Sequence, residues 1–293
     1  MAFLSNLVNG ISLGSIYAMI ALGYTMVYGI AKMLNFAHGD VIMVGAYLAF
    51  CAAQYWGMPP LVALLIAMVA CTVLGMTIEK LAYAPLRQAT SLAVLITAIG
   101  MSYLLQNTAL LIWGANPKVF PDLIGLDSLQ LFGGELVIKG ATLVTIAANI
   151  VIMVVLTLFI NRTRMGKAMR CVSEDRGAAE LMGINVNRTI SATFAIGSCL
   201  AAVAGFLLCS SYPMLQPTTG SMPGIKAFTA AVFGGIGSIP GAMIGGILLG
   251  VIEILGKAYV STELGDAIVF AVLIIVLLVR PTGLLGKVQR EKV

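Results

Sequence analysis

Ionisable charge is missing from most of this chain. The charge-free stretches are 1–31, 41–78, 88–117, 140–161, 189–225 and 227–252. Only 10% of the 293 residues are charged and 60% are hydrophobic, with a mean hydropathy of +1.02. Soluble domains carry about 25% charged residues, and a charged side chain in the middle of a bilayer is costly. The composition therefore excludes an ordinary soluble domain and predicts an all-α polytopic membrane protein.

The chain also lacks the residue patterns of enzymes and metal sites. It has no phosphate-binding G-x-x-x-x-G-K-[ST] motif, so we expect no nucleotide hydrolysis by the chain itself. His38 is its single histidine, and no Ser/His/Asp or Cys/His arrangement is suggested by position. Four of the five cysteines fall inside predicted spans, which argues against a disulfide framework. We therefore predict no catalytic residue, no metal and no cofactor in this chain, and we expect no nucleic-acid partner.

The lengths of the apolar runs predict the transmembrane segments, since a crossing helix needs about 20 apolar residues. The predicted spans are 7–30, 36–54, 59–78, 91–113, 141–160, 189–212, 225–237, 239–256 and 266–280. The piece 225–237 is too short for a comfortable crossing, and a broken or re-entrant helix pair accounts for it. We predict eight full spans, or nine with the short discontinuous helix, in one transmembrane domain covering 1–293.

Basic residues predict the orientation, because loops rich in Lys and Arg stay in the cytoplasm. The segment 161–188 holds six of them, and the chain end holds Arg280, Lys287, Arg290 and Lys292. The segments 114–139 and 253–266 lean acidic and are predicted to face outward. We expect the N-terminus outside and the C-terminus in the cytoplasm. No basic residue precedes Lys32, so the first span should serve as its own insertion signal.

A first polar constellation, Asn-Phe-Ala-His-Gly-Asp, occupies 35–40 between two predicted spans. Asn35 is positioned to cap a helix whose first turn contains His38 and Asp40, and an acid there suits the helix dipole. One interpretation is a capped turn at the cytoplasmic surface. The other is a helix start, with Phe36 beside it, that faces a transport path, as broken helices in transporters often do.

A second constellation is the glycine-rich stretch 234–241. Its predicted hinge residues are Gly234, Gly235, Gly237, Ser238, Pro240 and Gly241. One straight helix cannot satisfy the backbone of this stretch, and non-helical backbone at membrane depth survives only inside protein or beside a wet cavity. The GxxxG spacings at 10–14, 241–245 and 246–250 are better explained by close helix packing.

Polar residues also lie within the predicted spans. Asn9, Ser12 and Ser15, with Tyr17 nearby, recur close to helical spacing and should face the bundle interior or a pathway. Hydrogen bonding between helices is the alternative explanation. No Asp or Glu sits plainly in the middle of a predicted span. This shortage disfavours a proton- or sodium-coupled mechanism, which usually uses buried acids.

The segment 161–188 is predicted to contain a short helix outside the membrane. Ser173 is positioned to cap it, Glu174 and Asp175 suit its first turn, and Gly183 is positioned to end it. The small and apolar residues that it would present are Ala178, Ala179, Leu181 and Met182. Such a helix docks in a partner groove or lies on lipid, unless it is a plain loop helix.

Several stretches together carry a family resemblance. They are 14–23 (GSIYAMIALG), 34–39 (LNFAHG), 170–176 (RCVSEDR), 179–184 (AELMGI) and 226–241 (KAFTAAVFGGIGSIPG). In combination they resemble the membrane permeases of bacterial branched-chain amino-acid ABC transporters, over essentially the whole chain. The resemblance implies an ABC importer permease fold in the bacterial cell membrane.

The resemblance also implies partners besides the lipid bilayer. They are a second, homologous permease, two ATP-binding cassette ATPases that bind ATP and magnesium, and an extracytoplasmic substrate-binding protein. The absence of nucleotide-binding motifs from this chain agrees with that division of labour.

The resemblance assigns two sets of residues. It makes 174–184 the coupling helix that inserts into the ATPase, through Glu174, Asp175, Ala178, Ala179, Leu181, Met182, Gly183 and Ile184. Family members often show E-A-A-x-x-x-G here. This chain has Gly177 at the leading acid, and Glu174 or Asp175 is the expected substitute. The translocation path is expected along Tyr17, Asn35, Phe36, His38, Asp40 and the 234–241 hinge.

The implied function is ATP-driven import of branched-chain amino acids, in which the ATPases move 174–184 and cargo passes between two permeases. One alternative keeps this architecture and imports urea or short amides. Another is a self-contained channel or secondary carrier that works without ATP. An intramembrane enzyme would require a catalytic dyad that the sequence does not suggest.

Overall fold

The computed structural model of the protein describes residues 2–131 and 136–286. Its helices are α1 Ala2–Ala31, α2 His38–Gln54, α3 Pro60–Ile78, α4 Ser91–Trp113, α5 Gly140–Arg162, α6 Arg164–Glu174, α7 Arg176–Leu181, α8 Val186–Ser211, α9 Ser221–Gly234, α10 Ile239–Tyr259 and α11 Gly265–Val279. The strands are β1 Lys118–Val119, β2 Leu129–Leu131, β3 Leu136–Ile138 and β4 Met214–Leu215, paired β1 with β4 and β2 with β3. The all-α class is confirmed, with two very short antiparallel pairs added.

The helices follow the predicted spans closely. Within the described chain, six helices are long and apolar enough to cross a bilayer alone: α1, α3 with its continuation to Leu86, α4, α5, α8 and α10. The continuation of α3 is a π-helical turn, Glu79–Tyr83, and a 3-10 turn, Ala84–Leu86. The other predicted spans correspond to the shorter helices α2, α9 and α11. The polytopic architecture is therefore confirmed, while the count of eight full spans stays a prediction.

α1 forms the centre of the bundle. Nearly every residue from Gly10 to Ala31 is buried, and α5, α8, α9 and α10 pack around it. A helix that is apolar on all sides is stable only when it is surrounded. The peripheral helices α3, α4, α5 and α11 instead expose large apolar side chains, such as Leu61, Leu111 and Leu278. Those faces suit contact with lipid, where exposed apolar surface carries no cost.

α1 and α10 lie in unusually close contact. A Cβ at Gly10 would lie 2.8 Å from the Cα of Val251, and one at Gly14 would lie 2.6 Å from the Cα of Ile247. A Cβ at Gly250 would overlap the Cα of Gly14. Small residues let helix backbones come this near in a membrane. The packing explanation is thus confirmed for the GxxxG spacings of these two helices.

The bundle has two distinct ends. At the strand end, β1 pairs with β4 and joins the α4–α5 connection to the α8–α9 connection, both of which are predicted to lie outside the cell. At the α7 end lie α6, α7, the last residue of α1 and the turn between α9 and α10. The predicted outward Glu135 and the predicted cytoplasmic Lys287, Arg290 and Lys292 lie outside the described residues.

Candidate functional site

α2 begins inside the bundle rather than at its end. The chain turns back after α1, so that His38 packs against Gly23 with its ring 4.7 Å from that of Tyr24. Gly23 precedes the end of α1 by eight residues, or about 12 Å at 1.5 Å per residue. The hydrocarbon core of a bilayer is about 30 Å thick. The start of α2 therefore lies near mid-membrane depth and not in a turn at the surface.

Asn35 does not cap α2, contrary to the sequence prediction. The residue before α2 is Ala37, and no side chain caps the helix. The side-chain oxygen of Asn35 instead accepts a hydrogen bond from the Tyr83 hydroxyl at 2.9 Å. The chain makes one more turn before the helix, since the N–H of His38 bonds to the Asn35 carbonyl at 3.1 Å. Asn35 thus ties the α1–α2 loop to the π-helical turn that follows α3.

α9 begins at the same place in the bundle. A Cβ on Gly220 would overlap the carbonyl oxygen of Gly39, and one on Gly224 would lie 2.9 Å from the Cα of Gly39. The segment 212–220 reaches this point from the strand end. Two helix starts therefore meet inside the bundle, an arrangement that transporters use around substrate. The discontinuity expected near 225–237 is found at the start of α9.

A polar cluster surrounds Asp40 in the first turn of α2. The residue is 1% exposed, and its carboxylate accepts hydrogen bonds from the Ser102 hydroxyl and from the Gln106 amide, the latter at 3.0 Å. The same amide reaches the hydroxyls of Ser102 and Ser221, each at 3.2 Å. These four residues are called the Asp40 cluster below. They join α2, α4 and α9 where the two helix starts meet.

A second charged cluster lies closer to the strand end. Glu253 is 1% exposed and accepts hydrogen bonds from Lys226 at 2.8 Å, Lys257 at 2.6 Å and the Tyr17 hydroxyl at 2.9 Å. Lys226 also pairs with Asp266 at 2.6 Å. These five residues are called the Glu253 cluster below, and they link α1, α9, α10 and α11. Glu253 lies six residues before the end of α10, so the expectation that no acid sits plainly in the middle of a span is not contradicted. The sequence did not indicate, however, that this acid is buried and paired.

The glycine-rich stretch 234–241 forms the turn between α9 and α10. Gly235 adopts a φ of 105°, which residues with a Cβ rarely reach. Ser238 caps α10 by accepting a hydrogen bond from the N–H of Gly241 at 3.2 Å. Pro240 occupies the first turn of α10, where its missing N–H leaves no helix bond unmade. The backbone of Gly235, the Ser238 cap and Pro240 together allow the chain to reverse direction between α9 and α10.

This turn sits at the α7 end and not beside the Asp40 cluster. The Gly234 carbonyl accepts a hydrogen bond from the N–H of Leu285 at 3.0 Å. A Cβ at Gly29, near the end of α1, would lie 3.1 Å from the Cα of Gly237. The two predicted parts of the path, the α2 start and the glycine stretch, are therefore separate places. The hinge role of the stretch stays a prediction.

The segment 161–188 folds as two helices, α6 and α7, before α8 begins. Asp175 caps α7 by accepting a hydrogen bond from the N–H of Ala178 at 3.0 Å. Ser173 and Glu174 lie instead in the last turn of α6. The prediction that Ser173 caps the short helix was therefore wrong by two residues. An aspartate is an equally good cap, and here it separates the two helices.

The end of α7 agrees with the prediction for Gly183. This glycine has a φ of 79°. The N–H of Ile184 bonds to the Ala179 carbonyl at 3.0 Å, and the N–H of Gly183 bonds to the Glu180 carbonyl at 2.9 Å. This pair of bonds around a left-handed residue is the Schellman motif that ends many helices. Local hydrogen bonds therefore define both ends of α7.

Residues 175–184, called the α7 projection below, present apolar side chains to the surroundings. Leu181 is 91% exposed and Met182 is 82% exposed. On the opposite side, the Arg176 guanidinium donates a hydrogen bond to the carbonyl of Ala31, the last residue of α1. Burial and the nearby Arg87 guanidinium lower the pKa of Arg176. The projection thus has one face attached to α1 and one face open.

Sequence reasoning missed the partners of the buried acids. Lys226 is the single charge between 189 and 252, and a lone charge within an apolar span is a signal for a buried partner. Ser102 and Gln106 give no such signal, because α4 carries other polar residues on its exposed faces, among them Asn107. The meeting of α2, α4 and α9 that brings them to Asp40 is a tertiary contact.

Residues 6–277 match the protein family described as "Branched-chain amino acid transport system / permease component". The chain is 48% identical to the high-affinity branched-chain amino acid transport system permease protein LivH of Escherichia coli (strain K12), over 99% of this chain and 98% of that protein. It is 46% identical to the corresponding permease protein BraD of Pseudomonas aeruginosa, over the same shares of the two chains.

A solved structure also has a similar fold. It is described as PsaBC from Streptococcus pneumoniae in complex with Fab, and one of its chains aligns with 96% of this chain and 93% of its own length. The TM-score is 0.51 and the sequence identity is 15%. At this identity the likeness concerns the fold alone.

Proposed function

Because this chain belongs to the family of branched-chain amino acid transport permeases, we propose that it imports branched-chain amino acids as half of an ATP-driven translocation pathway. It is a multi-pass membrane protein with the permease fold of ABC importers. The observation that carries the proposal is an identity of 48% that extends over nearly the whole chain. The cargo, the coupling to separate ATPases and the pairing with a second permease are the proposed parts.

The α7 projection is proposed as the contact with the ATPase. Its open face holds Leu181 and Met182, and a short helix with exposed apolar residues suits insertion into a groove of another protein. Asp175 begins the projection, where its carboxylate caps α7, and Glu174 ends α6 beside it. Either residue is proposed for the acidic contact that Gly177 cannot make. The Arg176 bond to α1 gives a physical route by which movement of the projection reaches the spans.

The path is proposed along the two helix starts inside the bundle. Asn35, Phe36, His38 and Asp40 lie where α2 begins, beside the start of α9. A single chain lines only one side of such a path, so the second permease is proposed to line the other. The helices α9 and α10 would then move relative to each other, with the glycine turn 234–241 as their hinge.

Charge distribution supports a cytoplasmic α7 end. Among the residues that the structure describes, ten basic residues lie there, against four acidic ones, Glu79, Glu174, Asp175 and Glu180. The basic residues are Lys32, Lys80, Arg87, Arg162, Arg164, Lys167, Arg170, Arg176, Arg188 and Arg280. Basic loops remain in the cytoplasm. The strand end would then face outward and bind the substrate-binding protein. The C-terminus would lie in the cytoplasm.

Reconstitution tests the proposed function. The chain is purified with its co-purifying partners, inserted into liposomes with its substrate-binding protein, and assayed for uptake of labelled leucine and labelled urea with and without ATP. We expect leucine uptake that requires ATP and the ATPase subunits. Uphill transport by this chain alone, or uptake of urea in place of leucine, would contradict the proposal.

The docking surface has its own test. Met182→Glu places a charge on the open face of the projection, and we expect at least about a tenfold loss of co-purified ATPase, since a desolvated charge in an apolar groove is costly. Met165→Glu, on an exposed position of the neighbouring α6, is the matched control. Equal ATPase recovery from both variants would exclude this face as the contact.

A further inference from the structure

The buried carboxylates of the described chain differ in their partners. Glu253 is bound by two lysines, and Glu79 pairs with Arg87. Asp40, buried to the same degree, has no Lys, Arg or His nitrogen within 4.0 Å among the side chains that the structure describes. A buried carboxylate without a cation is unusual, because its desolvation is costly. Asp40 is therefore a buried carboxyl group that no described cationic side chain neutralises.

The Asp40 carboxylate has lone pairs that the described side chains do not use. Its two oxygens accept from Ser102 and Gln106, whereas an ionised carboxylate offers about four lone-pair sites. Ser102, Gln106 and Ser221 are partly exposed at this depth, between α4 and α9. Polar groups at mid-membrane depth do not face lipid without cost. This side of the cluster therefore faces another protein surface or a wet path.

Apolar surface lies beside the same helix starts. Phe36 and Phe228 have ring centroids 5.6 Å apart, and Tyr24 lies 5.7 Å from Phe228. Both phenylalanines are partly exposed. The junction of α2 and α9 thus combines an uncompensated carboxylate with an aromatic wall. A ligand that carries both a cationic group and an aliphatic group is the chemistry that this combination recognises.

We propose that the Asp40 cluster binds the α-ammonium group of an aliphatic amino acid during its passage, with the side chain of the cargo against Phe36 and Phe228. This inference rests on the proposed function and names the subsite within its path. The ammonium carries a positive charge and three N–H donors, some of which would bond to the lone pairs of Asp40 that Ser102 and Gln106 leave unused. Gln106 orients the carboxylate and contacts Ser221, and the side-chain oxygens of these two residues would accept the remaining N–H groups.

The test compares Asp40→Asn with the wild-type importer, assembled with its partners in liposomes. Asparagine preserves the shape but carries no charge. Its single side-chain oxygen accepts from the Gln106 amide, and its NH2 group donates to the Ser102 hydroxyl in place of the bond that Ser102 donates to Asp40. We expect ATP-driven leucine uptake to fall by about tenfold or more, as for the loss of one charge-assisted hydrogen bond. ATP hydrolysis stimulated by the loaded binding protein should stay within about twofold, because the variant still docks and couples.

Two further measurements separate ligand binding from a structural role. Asp40→Glu keeps the charge and should retain more uptake than Asp40→Asn. The matched control Asp266→Asn removes a partly exposed carboxylate outside the Asp40 cluster, and Lys226 keeps Glu253 as its partner. A binding assay on the purified importer then compares leucine with 2-hydroxy-4-methylpentanoate, in which a hydroxyl replaces the ammonium. Wild type should prefer leucine about tenfold, and Asp40→Asn should bind both alike.

The outcomes are distinct. Unchanged uptake by Asp40→Asn, a parallel loss of uptake and ATP hydrolysis, or a preference for leucine that survives in this variant would each overturn the subsite. Loss of uptake with hydrolysis retained and preference abolished supports it. Absence of ATP-driven leucine uptake by the wild-type importer would instead refute the proposed function, so the two failures are distinguishable.

Discussion

The Glu253 cluster and the α7 projection use charged residues in opposite ways. In the cluster, Glu253 and Lys226 are buried and paired, and they hold four helices together. In the projection, local caps define a helix of six residues, and Arg176 attaches it to the end of α1. The first arrangement resists movement because separation would strand a charge in the bundle. The second allows a small helix to move as a unit and to pull on α1.

The largest expected effect comes from breaking the Glu253 cluster. Glu253→Leu leaves Lys226 and Lys257 without their shared carboxylate inside the bundle, and breaking a buried pair costs about 3–5 kcal/mol. We expect a lower yield of folded protein from membranes and a lower unfolding temperature in detergent. Fluorescence-detected size exclusion after heating measures both.

The double variant Lys226→Met/Glu253→Leu sharpens this test. Replacing Lys226 as well removes the more deeply buried of the two lysines that Glu253→Leu leaves unpaired, whereas Lys257 is one-third exposed, so the double variant should recover a large part of the lost stability. If Glu253→Leu alone is as stable as the wild type, the cluster does not hold the helices. If the double variant is stable but inactive, the cluster has a role in transport as well.

An intermediate effect is expected from detaching the projection. Arg176→Met removes the hydrogen bond to the Ala31 carbonyl while keeping a long side chain. The protein should fold normally, and the ratio of leucine uptake to ATP hydrolysis should fall roughly tenfold, within the range of coupling free energies between sites. Transport and phosphate release are measured on the same liposomes.

Arg170→Met is the control for this variant, because Arg170 is an exposed arginine of α6. It removes the same charge from the same end of the molecule without touching α1. Equal ratios in the two variants would mean that the charge of this surface matters and that the bond to α1 does not. A lower yield of folded Arg176→Met would assign the bond to stability.

Much of the fold could be predicted because its determinants are local. Charge-free runs locate the spans within a few residues, and Gly183 marks the end of α7 because a left-handed position favours glycine. Tight GxxxG spacings identify the faces of α1 and α10 that meet. In each case neighbouring residues along the chain carry the information.

The parts that could not be predicted depend on contacts between distant segments. From the sequence, Asp40 can be interpreted as an acid in the first turn of a helix at the membrane surface. Only the packing of α2 against α4 and α9 places it at mid-membrane depth. Lys226 falls at the start of the predicted span 225–237, and only the packing of α10 and α11 against α9 brings Glu253 and Asp266 to it. The sequence alone does not show which residues from distant segments lie close together in the folded protein. The capping error at Ser173 is smaller, since two adjacent residue types suit the same role.

The smallest expected effect concerns the two glycines of the α7 projection. Gly183→Ala forces a Cβ into the left-handed region, which costs about 1 kcal/mol, so the amides of the projection should exchange hydrogen about fivefold faster. Gly177 is helical, and a Cβ there meets only the Asp175 carboxylate at 3.5 Å. Gly177→Ala should therefore stabilise α7 by about 0.5 kcal/mol and slow exchange about twofold.

Hydrogen–deuterium exchange of peptides covering the α7 projection measures both variants against peptides from α1 as an internal reference. Opposite changes confined to the projection are expected, because its ends are defined by its own hydrogen bonds. Exchange in α1 should change with Gly183→Ala only to the extent that the Arg176 bond transmits the loosening. Equal changes in α1 and in the projection would mean that the two form one cooperative unit, and the contrast with the Glu253 cluster would then not hold.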